Sequence, residues 1–207
     1  MPEKSVLVVT SKIVALSEGR TAECKNKREK ARIIKKESEL AIKTKLAWLT
    51  VKDGTVMASA GVDESNADGK LVLLPKDSFA SAESIRKILK KKFGIKKLGV
   101  LITDSRTFPL RAGIVGMALG YAGLKGIRDY RGAKDIFGRK LKISRTDVAD
   151  SLAAAAVLCM GEGKEHLPLA IIENAPVIFC DKTDPKEITI EPKEDLYLPL
   201  FRRILKL

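Results

Sequence analysis

This sequence of 207 residues is short of the side chains on which much redox and hydrolytic machinery depends. Its three cysteines, Cys24, Cys159 and Cys180, are far apart and odd in number, which argues against a disulfide framework and fits a reducing compartment. There is a single histidine, His166, so a zinc cage lacks ligands and a Ser-His-Asp arrangement has no motif around its base. No GxxxxGK[ST] motif occurs, and no GxGxxG follows a strand-like run. Gly161-Glu162-Gly163-Lys164 looks faintly similar, but it follows a helical segment instead of opening one. Aromatic residues make up 5% of the chain and do not interleave with the lysines, leaving no stacking platform for nucleic acid. No apolar run reaches the roughly 18 residues of a membrane helix, and MPEKSVLVVTSK lacks the layout of a signal peptide. A cytoplasmic location is the expectation.

Positive charge, by contrast, is plentiful. Lys and Arg number 39 against 26 Asp and Glu, a formal net charge of +13. That potential draws anions such as nucleotides, polycarboxylates or nucleic acid, although lysine-rich helices also serve simply to solvate a surface. The length suits one large domain or two small ones.

The pattern along the chain predicts an α+β fold with interleaved subdomains. A β-branched run over 5–10 reads as a buried strand, and 22–41 as a solvated helix with a Glu23–Lys27 pair and an apolar stripe of Ile33, Ile34 and Leu40. Runs at 45–51 and 55–60 flank Asp53-Gly54 and predict a hairpin. A strand is expected at 70–74, a helix at 78–93 stopped by Gly94, and a strand at 98–103. Residues 112–126 hold Gly113, Gly116, Gly120, Gly123 and Gly126, a density that permits close backbone approach and disfavours a helix. The clearest helix spans 146–160, started by Ser144 or Thr146, and a strand follows at 168–173.

Acidic residues at element ends are the remaining candidates for chemistry. Asp63 follows a strand in GVDESN, Asp104 ends a strand and precedes the hydroxyl of Ser105, and Glu162 lies in the turn after the alanine-rich helix. Carboxylates on short loops suit Mg²⁺ or Mn²⁺ together with phosphates. Asp in a turn, however, commonly just bonds its own backbone, and spacing alone does not bring the three together.

Four blocks assemble them: VVTSKIVALSEGR at 8–20, AGVDESNADG at 60–69, GVLITDS with Arg111, Gly113 and the stretch GMALGYAGLKGIRDYRGAKDIFGRKL to 141, and VADSLAAAAVLCMGEG at 148–163. In this combination and order the sequence resembles the coenzyme F-420:L-glutamate ligases. The resemblance covers most of residues 5–173 and implies a single domain over 1–207, with 174–207 as a C-terminal extension. It implies an α+β fold of the family's own type, with mixed and antiparallel sheets, a few helices and a homodimer. By resemblance Asp63, Asp104, Ser105 and Glu162 are metal ligands for Mg²⁺ or Mn²⁺. Ser11, Lys12 and Asn66 contact the nucleotide, as do Met160, Gly161, Gly163, Lys164, Glu165, His166 and Leu167. The implied reaction uses GTP, or ATP, to activate an acidic acceptor as an acyl phosphate that the amine of L-glutamate attacks. The acceptor is a coenzyme F-420 precursor or a related carboxylated metabolite such as a folate.

Arg111 and Arg131 are expected to act as catalytic anion clamps, since a guanidinium matches carboxylate and phosphate with two hydrogen bonds. Three departures accompany the match. The family carries some thirty residues before the first strand, so this chain reads as shortened there. Leu16 stands where the family has a lysine, and Thr107-Phe108 where it has Gly-Arg. The alternatives are a non-catalytic member that binds nucleotide or another anion, and a basic nucleic-acid-binding protein using the segments at 25–36 and 86–97.

Overall fold

The computed structural model describes residues 1–200. Its organising element is a four-stranded sheet built on β1 (Ser5–Thr10), whose run of Val and Leu is buried on both faces. β1 pairs in parallel with β7 (Leu98–Arg106), which pairs antiparallel with β8 (Val115–Ala122). On the other edge β11 (Leu169–Glu173) runs antiparallel to β1, giving the order β11-β1-β7-β8.

Helices cover both faces. α4 (Val148–Met160) lays Ala149, Leu152, Ala153, Ala156 and Met160 against Val6, Val8, Leu101 and Tyr121. α1 (Ser11–Ser17) and α3 (Ser78–Phe93) cover the opposite face, where Val14 and Ala82 meet Leu7, Val9, Val100 and Ile102. Each fully buried Leu, Ile or Val in these layers stabilises the fold by about 1.5–3 kcal/mol. α3 ends at Gly94 in the left-handed conformation (φ 66°), as the glycine stop predicts. α4 is capped by Asp147, which accepts from the Asp150 N–H, and not by Ser144 or Thr146.

A second, smaller core forms around Ile34, Ala60, Val62, Leu71 and Leu73. It lies beneath α2 (Lys27–Lys36) and the antiparallel sheet β3 (Leu40–Lys43), β4 (Trp48–Lys52) and β5 (Thr55–Ala58). The expected hairpin is present, with Asp53 (φ 51°) and Gly54 (φ 70°) both left-handed at its turn. Two-stranded ladders join β2 (Thr21–Ala22) to β6 (Leu71–Val72) and β9 (Ile127–Asp129) to β10 (Arg145–Asp147). Mixed helices and strands in several small sheets make the class α+β.

The sequence reading needs correcting in two further places. The helix expected over 22–41 is limited to α2; Glu23 precedes it and Leu40 belongs to β3, so neither the Glu23–Lys27 pair nor the full stripe exists on one helix. Asn26 starts the helix instead, its side chain accepting from the Arg28 and Glu29 N–H groups. The strand at 98–103 continues to Arg106. The glycine-rich stretch is largely the strand β8, with a bulge opposite Ile102 and Thr103. Its glycines admit the chain's own helices: a Cβ at Gly116 would lie 2.5 Å from the Ala153 carbonyl of α4, and one at Gly120 2.5 Å from the Ser78 backbone of α3.

Residues past 173 contribute to the main core, where Ala175, Val177, Phe179 and Ile188 pack against the α4 layer. Glu187 fastens this segment by accepting hydrogen bonds from Tyr121 Oη (2.8 Å) and the Gly126 N–H (2.6 Å). The end of the expected C-terminal extension, 201–207, lies outside the described residues.

Candidate functional site

The parallel pairing of β1 with β7 directs two chain segments to one place. Residues leaving the carboxyl end of β1 (Thr10, Ser11, Lys12) and those closing β7 (Asp104, Ser105, Arg106) emerge side by side, the usual location of a ligand crevice beside parallel strands. The loop after α4, from Gly161 to Pro168, and the turn from Ser59 to Asn66 supply the other walls. Between them is an open cleft of about 760 Å³.

Hydrogen bonds tie these walls together. Lys12 Nζ donates to Asp63 Oδ2 at 2.7 Å, to the Ser65 carbonyl at 2.6 Å and to Ser65 Oγ at 3.0 Å. Ser65 also turns back on Asp63, donating from its N–H (2.8 Å) and its hydroxyl (2.7 Å). Ser11 Oγ donates to Asp104 Oδ1 at 3.2 Å, and Arg106 Nη1 lies 3.1 Å from Asp104 Oδ2. Ser105 Oγ donates to Glu162 Oε1, and Asn66 Nδ2 reaches the Gly163 carbonyl at 3.4 Å.

The two aspartates differ electrostatically. Partial burial disfavours the Asp63 carboxylate, but hydrogen bonds from Lys12 and Ser65 outweigh it and hold its pKa below the ordinary value. At Asp104 burial dominates and raises the pKa, opposed by Arg106 and Ser11 and reinforced by the negative charge of Asp63. The two carboxylates therefore sense each other across the cleft.

Every residue expected at the metal and nucleotide positions lines this cleft: Asp63, Asp104, Ser105 and Glu162, together with Ser11, Lys12, Asn66 and the run from Met160 to Leu167. The side chains at the expected metal positions, Asp63, Asp104, Ser105 and Glu162, fit a hard divalent cation because they offer only oxygens, and Lys12 already seats a positive charge against one of them, Asp63 Oδ2. The three carboxylate residues border one space without closing on one point. Among the described residues no group of three or more His, Cys, Asp or Glu is drawn up as a cage.

Arg111 and Arg131 are placed elsewhere. Arg111 lines a small depression with Phe108, Pro109 and Val115, and Arg131 is engaged by Asp129, with Nη2 2.5 Å from Oδ2. That hydrogen-bonded pairing pushes Asp129 down to about 2. Neither arginine borders the main cleft.

Two residues of the site went unnoticed in the sequence, and each had a local signal. Ser65 stands two after Asp63, the spacing at which an Asp side chain accepts from backbone in a turn. Arg106 stands two after Asp104, hence on the same face of the strand. Reading 98–103 as the whole strand hid the second relation.

The chain is similar in sequence to known proteins. The family model described as F420-0:Gamma-glutamyl ligase matches residues 1–174. The Coenzyme F420:L-glutamate ligase of Methanococcus maripaludis is 46% identical over 146 residues, covering 70% of this chain and 58% of the relative. That of Methanocaldococcus jannaschii is 46% identical over 144 residues, covering 70% and 57%. That of Archaeoglobus fulgidus is 32% identical over 218 aligned residues, covering 97% and 86%. The matched region thus spans less than two thirds of the methanogen relatives and most of the Archaeoglobus one. With a match over more than four fifths of its length, this chain belongs to the F420-0:gamma-glutamyl ligase family.

Proposed function

We propose that the chain is a ligase forming an amide bond between L-glutamate and an acidic acceptor of the coenzyme F-420 precursor type, driven by GTP or ATP with a divalent cation. The observation that carries this reading is the convergence of Asp63, Asp104, Ser105 and Glu162 with Ser11, Lys12 and the loop 160–167 on one cleft. The names of the relatives supply the reaction class.

In this reading Asp63, Asp104, Glu162 and Ser105 would hold Mg²⁺ or Mn²⁺, which when bound offsets phosphate charge during phosphoryl transfer. The chain's own residues then have defined tasks. Lys12 leaves Asp63 and Ser65 and turns its ammonium toward the nucleotide phosphates. Asn66 and Gly163 brace the two walls around the nucleotide. The acceptor carboxylate takes the terminal phosphoryl group, releasing the nucleoside diphosphate. The amine of L-glutamate then displaces phosphate from the acyl carbon, loses a proton and forms the amide.

The same reading brings with it a homodimer in the cytoplasm. It is supported by apolar side chains exposed on the segment 130–144, where Ile136, Phe137 and Ile143 are each more than four fifths exposed.

The test is nucleotide turnover with Mg²⁺ or Mn²⁺, with and without L-glutamate and a deazaflavin or folate acceptor, followed by the mass of the acceptor. Gain of a glutamyl residue that requires nucleotide, metal and acceptor together is the expected result. Wild-type turnover surviving Asp104→Ala and Glu162→Ala in one protein would refute the metal assignment.

A further inference from the structure

Arg106 sits at the end of β7 with only 4% of its surface exposed, and it lines the cleft. Nη1 is used on Asp104 at 3.1 Å. Nε and Nη2, by contrast, are buried without a hydrogen-bond partner, and among the described residues no other buried side-chain nitrogen or oxygen is in that condition. Asp150 attracts the guanidinium by charge but makes no hydrogen bond to it, and accepts instead from the Ala118 N–H at 2.8 Å.

An arginine cannot escape such a position by losing its proton, and buried charged donors left unpaired are costly. Nε and Nη2 form one edge of the guanidinium, a fork that matches two oxygens of a carboxylate or a phosphate. Arg106 borders the same cleft as Asp63, Asp104 and Glu162, where an anionic group of a substrate would arrive.

We propose that Arg106 is an oxyanion-receiving residue of this cleft, its Nε and Nη2 taking two oxygens of a bound phosphate or carboxylate while Asp104 holds the other side of the guanidinium. The inference deepens the ligase reading, on which it rests only for the source of the anion.

Calorimetric titration of inorganic triphosphate and of glutarate, each with Mg²⁺, into the wild type, Arg106→Lys and Arg106→Met tests it. Arg106→Lys keeps a cation beside Asp104 but loses the fork, so it separates anion binding from support of Asp104. It also carries the test alone if circular dichroism shows Arg106→Met unfolded. The expected result is binding of at least one probe by the wild type and a loss of about tenfold or more in Arg106→Lys. A loss confined to triphosphate assigns the subsite to a nucleotide phosphate, and a loss confined to glutarate assigns it to a substrate carboxylate. Wild type that binds neither probe, or Arg106→Lys affinities within about twofold for both, overturns the proposal. Because no glutamyl transfer is read, failure of the ligase activity and failure of this subsite are distinguishable.

Discussion

Replacing Thr50 with valine isolates the device that sets the Asp63 wall. Thr50 is fully buried, and its hydroxyl donates to the Met57 carbonyl at 2.7 Å while accepting from the Ala60 N–H at 2.8 Å. Ala60 lies in a run of left-handed residues, Ser59 (φ 51°), Ala60 (φ 54°) and Gly61 (φ 68°), three positions before Asp63. Two non-glycine residues in that region store about 1–3 kcal/mol of strain each, held down by the surrounding contacts. Valine matches threonine in shape but leaves the Ala60 N–H buried without its acceptor, at about 1–3 kcal/mol, and removes one donor from Met57. The expected loss is about 2–3 kcal/mol, or about 4–12 °C in Tm for a chain of this size. Thr50→Ser retains both hydrogen bonds and loses one methyl, about 1 kcal/mol, so it should be the milder of the two. Urea unfolding measures the loss, and hydrogen exchange should show the amides from Ala60 to Asp63 opening first. A Thr50→Val protein within about 0.5 kcal/mol of wild type, or less damaged than Thr50→Ser, would refute the pinning role.

Gly61→Ala should be much worse than Gly54→Ala, although both positions have positive φ. The new methyl at 61 would lie 2.5 Å from Leu74 Cγ whereas at 54 it meets open space, so the unfolding free energies of the two variants should differ by about 1–3 kcal/mol in urea titrations. Asp150, raised chiefly by burial to about 6, gives a pH test. Its folded pKa lies above the ordinary 3.9 or so, which makes the stability from its protonated form full below about pH 4 and lost as pH rises through 6. Asp150→Asn cannot lose a proton there, so its stability relative to wild type should grow by about 1–2 kcal/mol between pH 4 and 7, allowing for partial exposure. A difference that stays flat across that range sinks the argument.

Much of this was legible in the sequence, for identifiable reasons. β1 is buried on both faces, so the run 6–9 inside it is continuously apolar and announces itself. Asp53-Gly54 marks its hairpin because both residues must adopt positive φ. The glycine run was read as close backbone approach and no helix, which holds, but what approaches it is non-local. Only the position of α3 and α4 shows why Gly116 and Gly120 carry no side chain. For the cleft, residue types and family pattern located the carboxylates, yet Arg106 was overlooked because the strand was read as ending before it, and the lack of anything opposite two of its nitrogens shows only in three dimensions. That is a property of packing, which no spacing encodes.

The parallel register of β1 with β7 also bears on how the molecule comes together. Parallel strands cannot be joined by a tight turn, and here 87 residues separate the end of one from the start of the other. The cleft contacts follow suit, joining Ser11 to Asp104, Lys12 to Asp63, Ser105 to Glu162 and Asn66 to Gly163 across 93, 51, 57 and 97 positions. Contacts of such long sequence range slow folding, because the loop entropy is lost before they form. The cleft should therefore be among the last features to appear on refolding, after α3 and the β4–β5 hairpin, and no short fragment of this chain should retain it.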